Sequence, residues 1–375
     1  MPNSLDLSLE RLLPTRILLP DLATLLSAQA GKTILVTGAG GCIGSELAKA
    51  VLKAKPSLVL LLEHSEQALY ELEMELRTFP EGAPREIVLG DFADEHLLPA
   101  MLREHRPDLI LHAAAFKHVP LMEANPFEAI RNNAVATWRL GRMAAEYGVR
   151  ELLLISTDKA ARARSIMGAS KRLAELAVLR WNAPGRRYFA LRLGNVLGSK
   201  GSVVPLFLKQ IARGGPVTVT HPEASRYFLT MAETIQLVFV AAALNDANGV
   251  LLPELGDAVS ILELAKHLAA ARRNGEAGKL EIQFTGLRPG DKLREDLLSD
   301  GETLHKTESA SLQRIKSIVS TDDVIDGIFV RLEESVRRRD LGALLEAVRA
   351  LVPHFEPSEL LAAAHPSGLA SGAQP

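Results

Sequence analysis

The chain has 375 residues, enough for one large α/β domain with a smaller lobe or for two domains. Its 43 Lys and Arg balance 45 Asp and Glu, so no overall basic field favours nucleic acid as a partner. A single cysteine, Cys42, excludes an internal disulfide framework and a cysteine-built zinc site, and no metal is expected.

Residues 1–30 read as a leucine-bearing arm (Leu18, Leu19, Leu22, Leu25, Leu26) that packs on the core or on another copy of the chain. Arg, Asp and Pro interrupt those leucines, so the arm is neither a signal peptide nor a membrane span, which needs about twenty apolar residues. The expected location is the cytoplasm. From 31 to about 200, strand and helix patterns alternate. Strands are predicted near 34–37, 58–63, 86–90, 109–113, 151–156 and 189–193, and helices near 45–55, 67–78, 95–105, 127–147 and 167–182. Near-continuous apolar strands of this kind predict a parallel sheet covered on both faces, a Rossmann-type doubly wound α/β fold.

Beyond Asn195 the rhythm breaks into loops holding Gly, Pro and single basic residues. A strand near 249–256 is predicted to return to the sheet, while 201–330, and 260–300 in particular, build a smaller substrate-binding lobe. A C-terminal helix and tail take up 331–375, with a helical pattern over 333–352. Arg337, Arg338 and Arg339 read as its solvated face, and the last ten residues as disordered.

The stretch Thr37-Gly38-Ala39-Gly40-Gly41-Cys42-Ile43-Gly44 joins the first strand to the first long helix. Gly38 permits a sharp turn, Gly41 lets the backbone approach a pyrophosphate, and Gly44 lets helix and strand pack closely. The pyrophosphate would rest on the helix N-terminus, at Cys42 and Ile43, where free N–H groups and the dipole favour negative charge. Glu63 ends the second strand and is placed to accept bonds from an adenosine ribose, which favours NAD; His64 and nearby basic residues leave room for NADP. The third strand delivers Asp91, facing an adenine amino group, and Phe92. The fourth delivers Ala113, Ala114 and Ala115, small enough for a cofactor to lie across the sheet edge.

The fifth strand ends in Ser156-Thr157-Asp158-Lys159, placing a hydroxyl, a carboxylate and an amine where α/β sites form. Beyond it, Met167 and Lys171 lie four apart on a predicted helix and hence on one face.

These features resemble the extended short-chain dehydrogenase/reductases, where a Tyr and a Lys occupy the positions of Met167 and Lys171. Within them the chain is most similar to the soluble catalytic part of UDP-N-acetylhexosamine 4,6-dehydratases of bacterial polysaccharide biosynthesis, over about 17–300. Many of those relatives carry membrane helices ahead of this unit. The matching stretches include AFKHVPLME from Ala115, Asn132-Asn133, STDKA from Ser156, MGASKR from Met167 and LGNVLGS from Leu193. Further on come THPE from Thr220, Arg226-Tyr227-Phe228 and GLRPGDKL from Gly286.

The resemblance implies conversion of UDP-N-acetylglucosamine to a UDP-4-keto-6-deoxy sugar. Hydride leaves C4 for the nicotinamide, water is eliminated across C5 and C6, and the hydride returns to C6. Lys159 would be the base at C5, its pKa lowered by burial and by Lys171. Asp158 would be the acid at C6, which requires a raised pKa, and Lys171 would bond the nicotinamide ribose. A thioether cannot take the C4 hydroxyl proton. Relatives that retain configuration at C5 are similar in having Met at 167, which implies a C5-retaining enzyme in which Thr157 and Asp158 handle that proton.

For the substrate, the resemblance implies Arg226 and Arg288 on the diphosphate, Asn195 on phosphate or sugar, Val203, Pro205 and Thr218 around the uracil, and Glu295 on the uridine ribose. Lys117 and His118 belong to the same set. One departure stands out: relatives carry a Pro- and Asn-containing loop where this chain has Ala161-Arg162-Ala163-Arg164-Ser165. A UDP-sugar 4-epimerase and a non-catalytic NAD- or UDP-sugar-binding protein are the alternatives. A homo-oligomer, dimer or larger, is expected through the predicted helices 127–147 and 167–182.

Overall fold

The computed structural model describes residues 19–79, 84–199, 201–245, 247–272, 281–317 and 321–364. A short helix, α1 (Leu22–Ser27), leads into β1 (Thr33–Thr37), α2 (Cys42–Lys53), β2 (Leu58–Glu63), α3 (Glu66–Leu76), β3 (Arg85–Leu89), α4 (Leu97–His105) and β4 (Leu109–His112). Then come α5 (Val119–Glu123), α6 (Pro126–Ile130), a π-helical turn (Arg131–Val135), α7 (Ala136–Glu146), β5 (Glu151–Thr157), α8 (Ile166–Leu179) and β6 (Arg187–Leu193). Ile34, Leu35 and Val36 of β1 are fully buried, as are Leu109, Ile110 and Leu111 of β4. Side chains pointing to both faces are covered, which is why these strands read as unbroken apolar runs. Each such side chain stabilises the fold by about 1.5–3 kcal/mol.

After β6 the chain continues through β7 (Asn195–Val196), α9 (Val203–Ala212), β8 (Val217–Val219), β9 (Ser225–Arg226), β10 (Phe228–Leu229), α10 (Met231–Ala243), β11 (Gly249–Pro253), β12 (Val259–Ser260), α11 (Ile261–Arg272) and β13 (Ile282–Phe284). The main sheet has the order β14-β15-β11-β6-β5-β4-β1-β2-β3, in which β14 is Thr303–Lys306 and β15 is Leu312–Lys316. From β3 to β11 the neighbours run parallel, and β15 and β14 add an antiparallel edge. This is the expected doubly wound sheet, and its strand order reverses between β1 and β4, where such sheets bind ligands.

The segment after Asn195, read as loops, holds two helices. The first, α9, packs with α11 over β8 around Val204, Phe207, Val217, Val219, Leu264 and Leu268, and this is the smaller lobe. The second, α10, starts with a capping box, Thr230 Oγ1 accepting the Glu233 N–H and Glu233 returning the bond, and packs against α1 and α2 on the main sheet. The stretch 201–330 therefore supplies both the lobe and part of the large unit. Leu25 and Leu26 of the arm are buried on the chain's own core; residues 1–18 and the last ten lie outside the described residues.

The helical pattern at 333–352 is two helices, α12 (Asp322–Arg338) and α13 (Leu341–Leu351), followed by α14 (Glu359–Ala364). Arg339 adopts φ +53° and ends α12, and Asp340 caps α13 by accepting the Ala343 N–H. Arg337 and Arg338 are exposed and pair with Glu334 on their own helix. The inner faces of α12 and α13 cover α7 and α8: Phe329 stacks on Trp138 with ring centroids 5.6 Å apart, and Trp138 Nε1 donates to Asp326 at 3.0 Å. Arg180 at the end of α8 also bonds Asp326, at 2.8 Å. The helix face expected to meet another copy is thus occupied by the chain's own C-terminal helices. No helix among the described residues is long and apolar enough to cross a membrane.

Candidate active site

The glycine turn sits at the reversal of strand order. Gly38 has φ +66°, and a Cβ there would lie 2.7 Å from the backbone of Ala114, so β1 and β4 can converge only over a glycine. A Cβ on Gly44 would lie 2.0 Å from the Gly38 carbonyl oxygen, which explains the tight start of α2. Gly41 is the N-cap and offers no side-chain cap, so the first-turn N–H groups, Cys42, Ile43 and Gly44 among them, remain available to an anion. Beneath the turn His112 bridges Thr37 (2.7 Å) and Thr137 (3.0 Å). Burial, with Lys171 nearby, holds its imidazole neutral with a pKa of about 3. Phe92 packs edge-on against it at 4.8 Å.

Glu63 is buried and braces the turn, accepting the Gly40 N–H at 3.1 Å and the Ser65 N–H at 3.0 Å, with exposed His64 3.1 Å away. Asp91 accepts the Ala93 N–H at 2.9 Å. Ala113, Ala114 and Ala115 follow β4 half-buried. Lys171, on buried helix α8, makes no hydrogen bond among the described residues. Burial pulls its pKa down to about 8 against the opposing pull of Glu175. The open helix start and an uncommitted buried amine are donors that suit a dinucleotide's diphosphate and a ribose.

At the end of β5, Asp158 is fully buried. Its Oδ1 accepts from Thr157 Oγ1 at 2.9 Å and from Lys159 Nζ at 3.0 Å, and its Oδ2 is buried with no partner among the described residues. Lys159 also donates to Asn195 Oδ1 at 3.0 Å and pairs with Glu295 at 3.3 Å. Its pKa is raised, opposite to the direction expected: burial pulls it down, but Asp158 and Glu295 outweigh burial, and Arg226, not Lys171, is the cation opposing them. Met167 is buried in the apolar cluster shared with the C-terminal helices.

Among the substrate residues, Glu295 faces Lys159. Arg226 donates to the carbonyl oxygens of Ser225, Lys292 and Leu293, so its fork is largely committed within the protein. Arg288 is exposed and bonded to Asp291 at 2.8 Å. Lys117 and His118 are exposed beside the start of α5, and burial followed by the charges of Lys117 and Arg288 depresses the His118 pKa, which puts two cations and a neutral imidazole in one neighbourhood. Val203 and Pro205 begin α9, half-buried, and Thr218 is held by Gln210 at 2.7 Å. In the departing loop, Arg162 turns outward to Asp300, while Arg164 lines the cavity beside Lys159 and Glu295.

Two features escaped sequence reading. Arg192 of β6 is fully buried between Glu175 and Glu302, and Ser156 Oγ donates to Glu175 at 2.7 Å, so the end of β5 rests on this charge cluster. Glu123 is buried and accepts the Ile166 N–H at 2.6 Å, pinning the start of α8. A buried arginine in a strand is the available signal for the first, since such a residue needs paired carboxylates.

Residues 34–317 match the polysaccharide biosynthesis protein family. The capsular polysaccharide biosynthesis protein CapD of Staphylococcus aureus is 44% identical over 285 residues, which are 75% of this chain and 47% of that protein, so the chain spans about half of its length. A UDP-N-acetylglucosamine 4,6-dehydratase (inverting) of Campylobacter jejuni is 30% identical over 279 residues, 73% of this chain and 79% of that one. The crystal structure of Thermus thermophilus UDP-glucose 4-epimerase in complex with NAD superposes with a TM-score of 0.58 at 25% identity, covering 71% of this chain and 90% of the other.

Proposed function

This chain belongs to the polysaccharide biosynthesis protein family, and on that premise we propose that it is an NAD-dependent 4,6-dehydratase of UDP-N-acetylglucosamine. One observation carries the reading: an acid–base pair, Asp158 and Lys159, joined at 3.0 Å at the end of β5. Epimerisation needs no such pair, because it involves no chemistry at C5 and C6. The similarity to a dehydratase named for this substrate supports it.

NAD, when bound, supplies hydride acceptance from C4 and hydride return to C6. The N–H groups of Cys42, Ile43 and Gly44 hold its diphosphate, and the Lys171 ammonium bonds the nicotinamide ribose. Glu63, beside the glycine turn, disfavours a 2′-phosphate and so favours NAD over NADP. The remaining work belongs to the chain's own protons. The pair starts the cycle as a neutral Lys159 amine and an Asp158 carboxylate. As hydride leaves C4, Thr157, hydrogen-bonded to Asp158 at 2.9 Å, relays the C4 hydroxyl proton to that carboxylate, which leaves a carboxylic acid beside the amine. The amine then takes the C5 proton while the acid protonates the departing C6 hydroxyl. The proton that leaves with the C6 hydroxyl is thus the one taken from the C4 hydroxyl, so the cycle closes without a tyrosine. The Lys159 ammonium returns its proton to C5 from the side it took it, which gives retention and accommodates Met167. Arg288, Lys117 and His118 face the diphosphate, and any homo-oligomer forms through a surface other than α7 and α8.

Proton NMR of the protein with UDP-N-acetylglucosamine in deuterated water tests the reading. A new C6 methyl signal with loss of the C4 proton is expected, and a nuclear Overhauser contact between the C5 and C3 protons of product formed in light water reports retention. Conversion to the galacto isomer, or an unchanged spectrum with NAD bound, overturns it.

A further inference from the structure

Glu295 comes from the loop after β13, yet its side chain ends at the catalytic lysine. It is only 4% exposed, and among the described residues its partners are two cations, Lys159 at 3.3 Å and Arg226 at 3.4 Å. Arg226 in turn is anchored by the carbonyl oxygens of Ser225, Lys292 and Leu293. The result is a row of alternating charge, Asp158, Lys159, Glu295, Arg226, which crosses from β5 of the main sheet to β9 of the lobe. A water-sized cavity of about 10 Å³ borders the row, lined by Lys159, Glu295, Arg164, Ser165 and Gly290 among others.

A carboxylate committed to two buried cations is poorly placed to receive a ribose hydroxyl. It is well placed to decide where the proton of Lys159 resides. We propose that Glu295 is a positioning residue for Lys159, holding its ammonium between the sheet and the lobe, with Arg226 as the opposing charge that keeps this hold from becoming permanent. The proposal rests on the dehydratase reading for its consequence, since a base at C5 must be a neutral amine. Its physical content, the coupling of Glu295 and Arg226 to the ionisation of Lys159, does not depend on which sugar is turned over.

The groups facing Lys159 are Asp158 on its own turn, Asn195 of β7, Glu295 and Arg226 from the lobe, and Arg164, Asp291 and Lys292 around the cavity. An opposite charge at such distances moves a pKa by about 1–3 units. Glu295→Gln removes a charge that favours the ammonium, so the lysine should lose its proton at lower pH, by about one unit or more. Arg226→Gln removes the opposing cation and should shift it the other way.

Two readouts test this in the intact protein. The first is the pH dependence of Lys159 acetylation by trace acetic anhydride, followed by peptide mass spectrometry, in wild type, E295Q and R226Q. The second is the pH profile of kcat with UDP-N-acetylglucosamine, in which the acidic limb of E295Q should move to lower pH. Opposite shifts of the acetylation midpoint in the two variants are the expected result. An unmoved midpoint in both overturns the proposal, as does E295Q that raises KM alone with wild-type pH profiles, the behaviour of a ribose ligand. If wild type shows no turnover, the dehydratase reading fails, while the acetylation midpoints still decide the role of Glu295.

Discussion

Replacing Arg192 with methionine tests what holds the carboxyl edge of the sheet in place. Arg192 makes five hydrogen bonds: two to Glu175 at 2.9 Å, two to Glu302 at 2.8 and 2.9 Å, and one to the Leu297 carbonyl oxygen at 3.2 Å. Both carboxylates are buried, and without Arg192 they would face each other with Arg172 as the remaining cation, 2.9 Å from Glu175 and 3.3 Å from Glu302. Breaking a buried pair on one side costs about 3–5 kcal/mol, and the surviving arginine puts the expectation at the low end, about 3 kcal/mol. The pH dependence fixes the sign. Burial pushes the Glu175 carboxyl up, but Arg192 and its neighbours outweigh burial and hold it at about 2, below its ordinary value of 4.5. This group therefore adds stability in wild type above pH 4.5, and the gain is lost as pH falls from 4.5 towards 2. In R192M burial dominates, the carboxyl is raised, and taking up a proton relieves the strain. Urea unfolding followed by circular dichroism, at about pH 7.5 and about pH 5, should show a deficit that shrinks on acidification. A deficit below about 1 kcal/mol at the higher pH, or one that widens at the lower, would refute the reasoning.

Four further outcomes follow from the geometry. Gly38→Ala places a Cβ 2.7 Å from Ala114 at φ +66°, at a backbone cost of about 1–2 kcal/mol before any clash, so NADH affinity measured by fluorescence titration should fall about tenfold or more. Lys171, held at about 8 by burial, should make NADH affinity decline as pH rises through 8, whereas K171M should bind weakly and without that dependence. Because its folded pKa lies below the ordinary 10.5, the same group makes the ligand-free protein gain stability as pH rises from 8 towards 10.5, which thermal unfolding at fixed ionic strength checks. Phe329→Asp, in a fully buried ring stacked on Trp138, costs about 4 kcal/mol or more, and should loosen α12 and α13 and raise the mass seen by light scattering as the apolar face of α7 and α8 opens. Unchanged mass with unchanged hydrogen exchange across 321–364 would show that the C-terminal helices do not guard that face.

The parallel sheet and the glycine turn were legible because their signals are local. Apolar runs such as Leu58 to Leu62 are buried on both faces, and the need for glycine at 38 and 44 follows from where β1 meets β4 and α2. The helices after Asn195 were obscured for opposite reasons. Helix α10 is apolar on most sides, so its period is faint, although Thr230 and Glu233 form a capping box that marks its start. The pattern at 333–352 runs smoothly through Arg339 and Asp340, and only a left-handed residue followed by a new N-cap breaks it. The antiparallel edge β14–β15 has an outer strand exposed at every position, so it carries no buried-face alternation to read.

The site shows a sharper division. Which side chains gather at the end of β5 follows from strand order, since β5, β6 and the glycine turn after β1 all open on the same edge. How those side chains are charged does not follow from it. Lys159 sits one residue after Asp158 in sequence, but its ionisation depends also on Glu295 and, to a lesser degree, on Arg226, which reach it from the lobe. Lys171, expected to repel it, instead has its pKa lowered by burial, which outweighs the charge of Glu175. Two lysines twelve positions apart thus carry opposite shifts, one raised by close carboxylates, the other depressed by burial that Glu175 only partly offsets. The pairing that separates them is built from both sides: Asp158 at the end of β5 is the larger of the opposite charges and Glu295 from the lobe adds to it, so both hold the Lys159 proton that a base at C5 must lose.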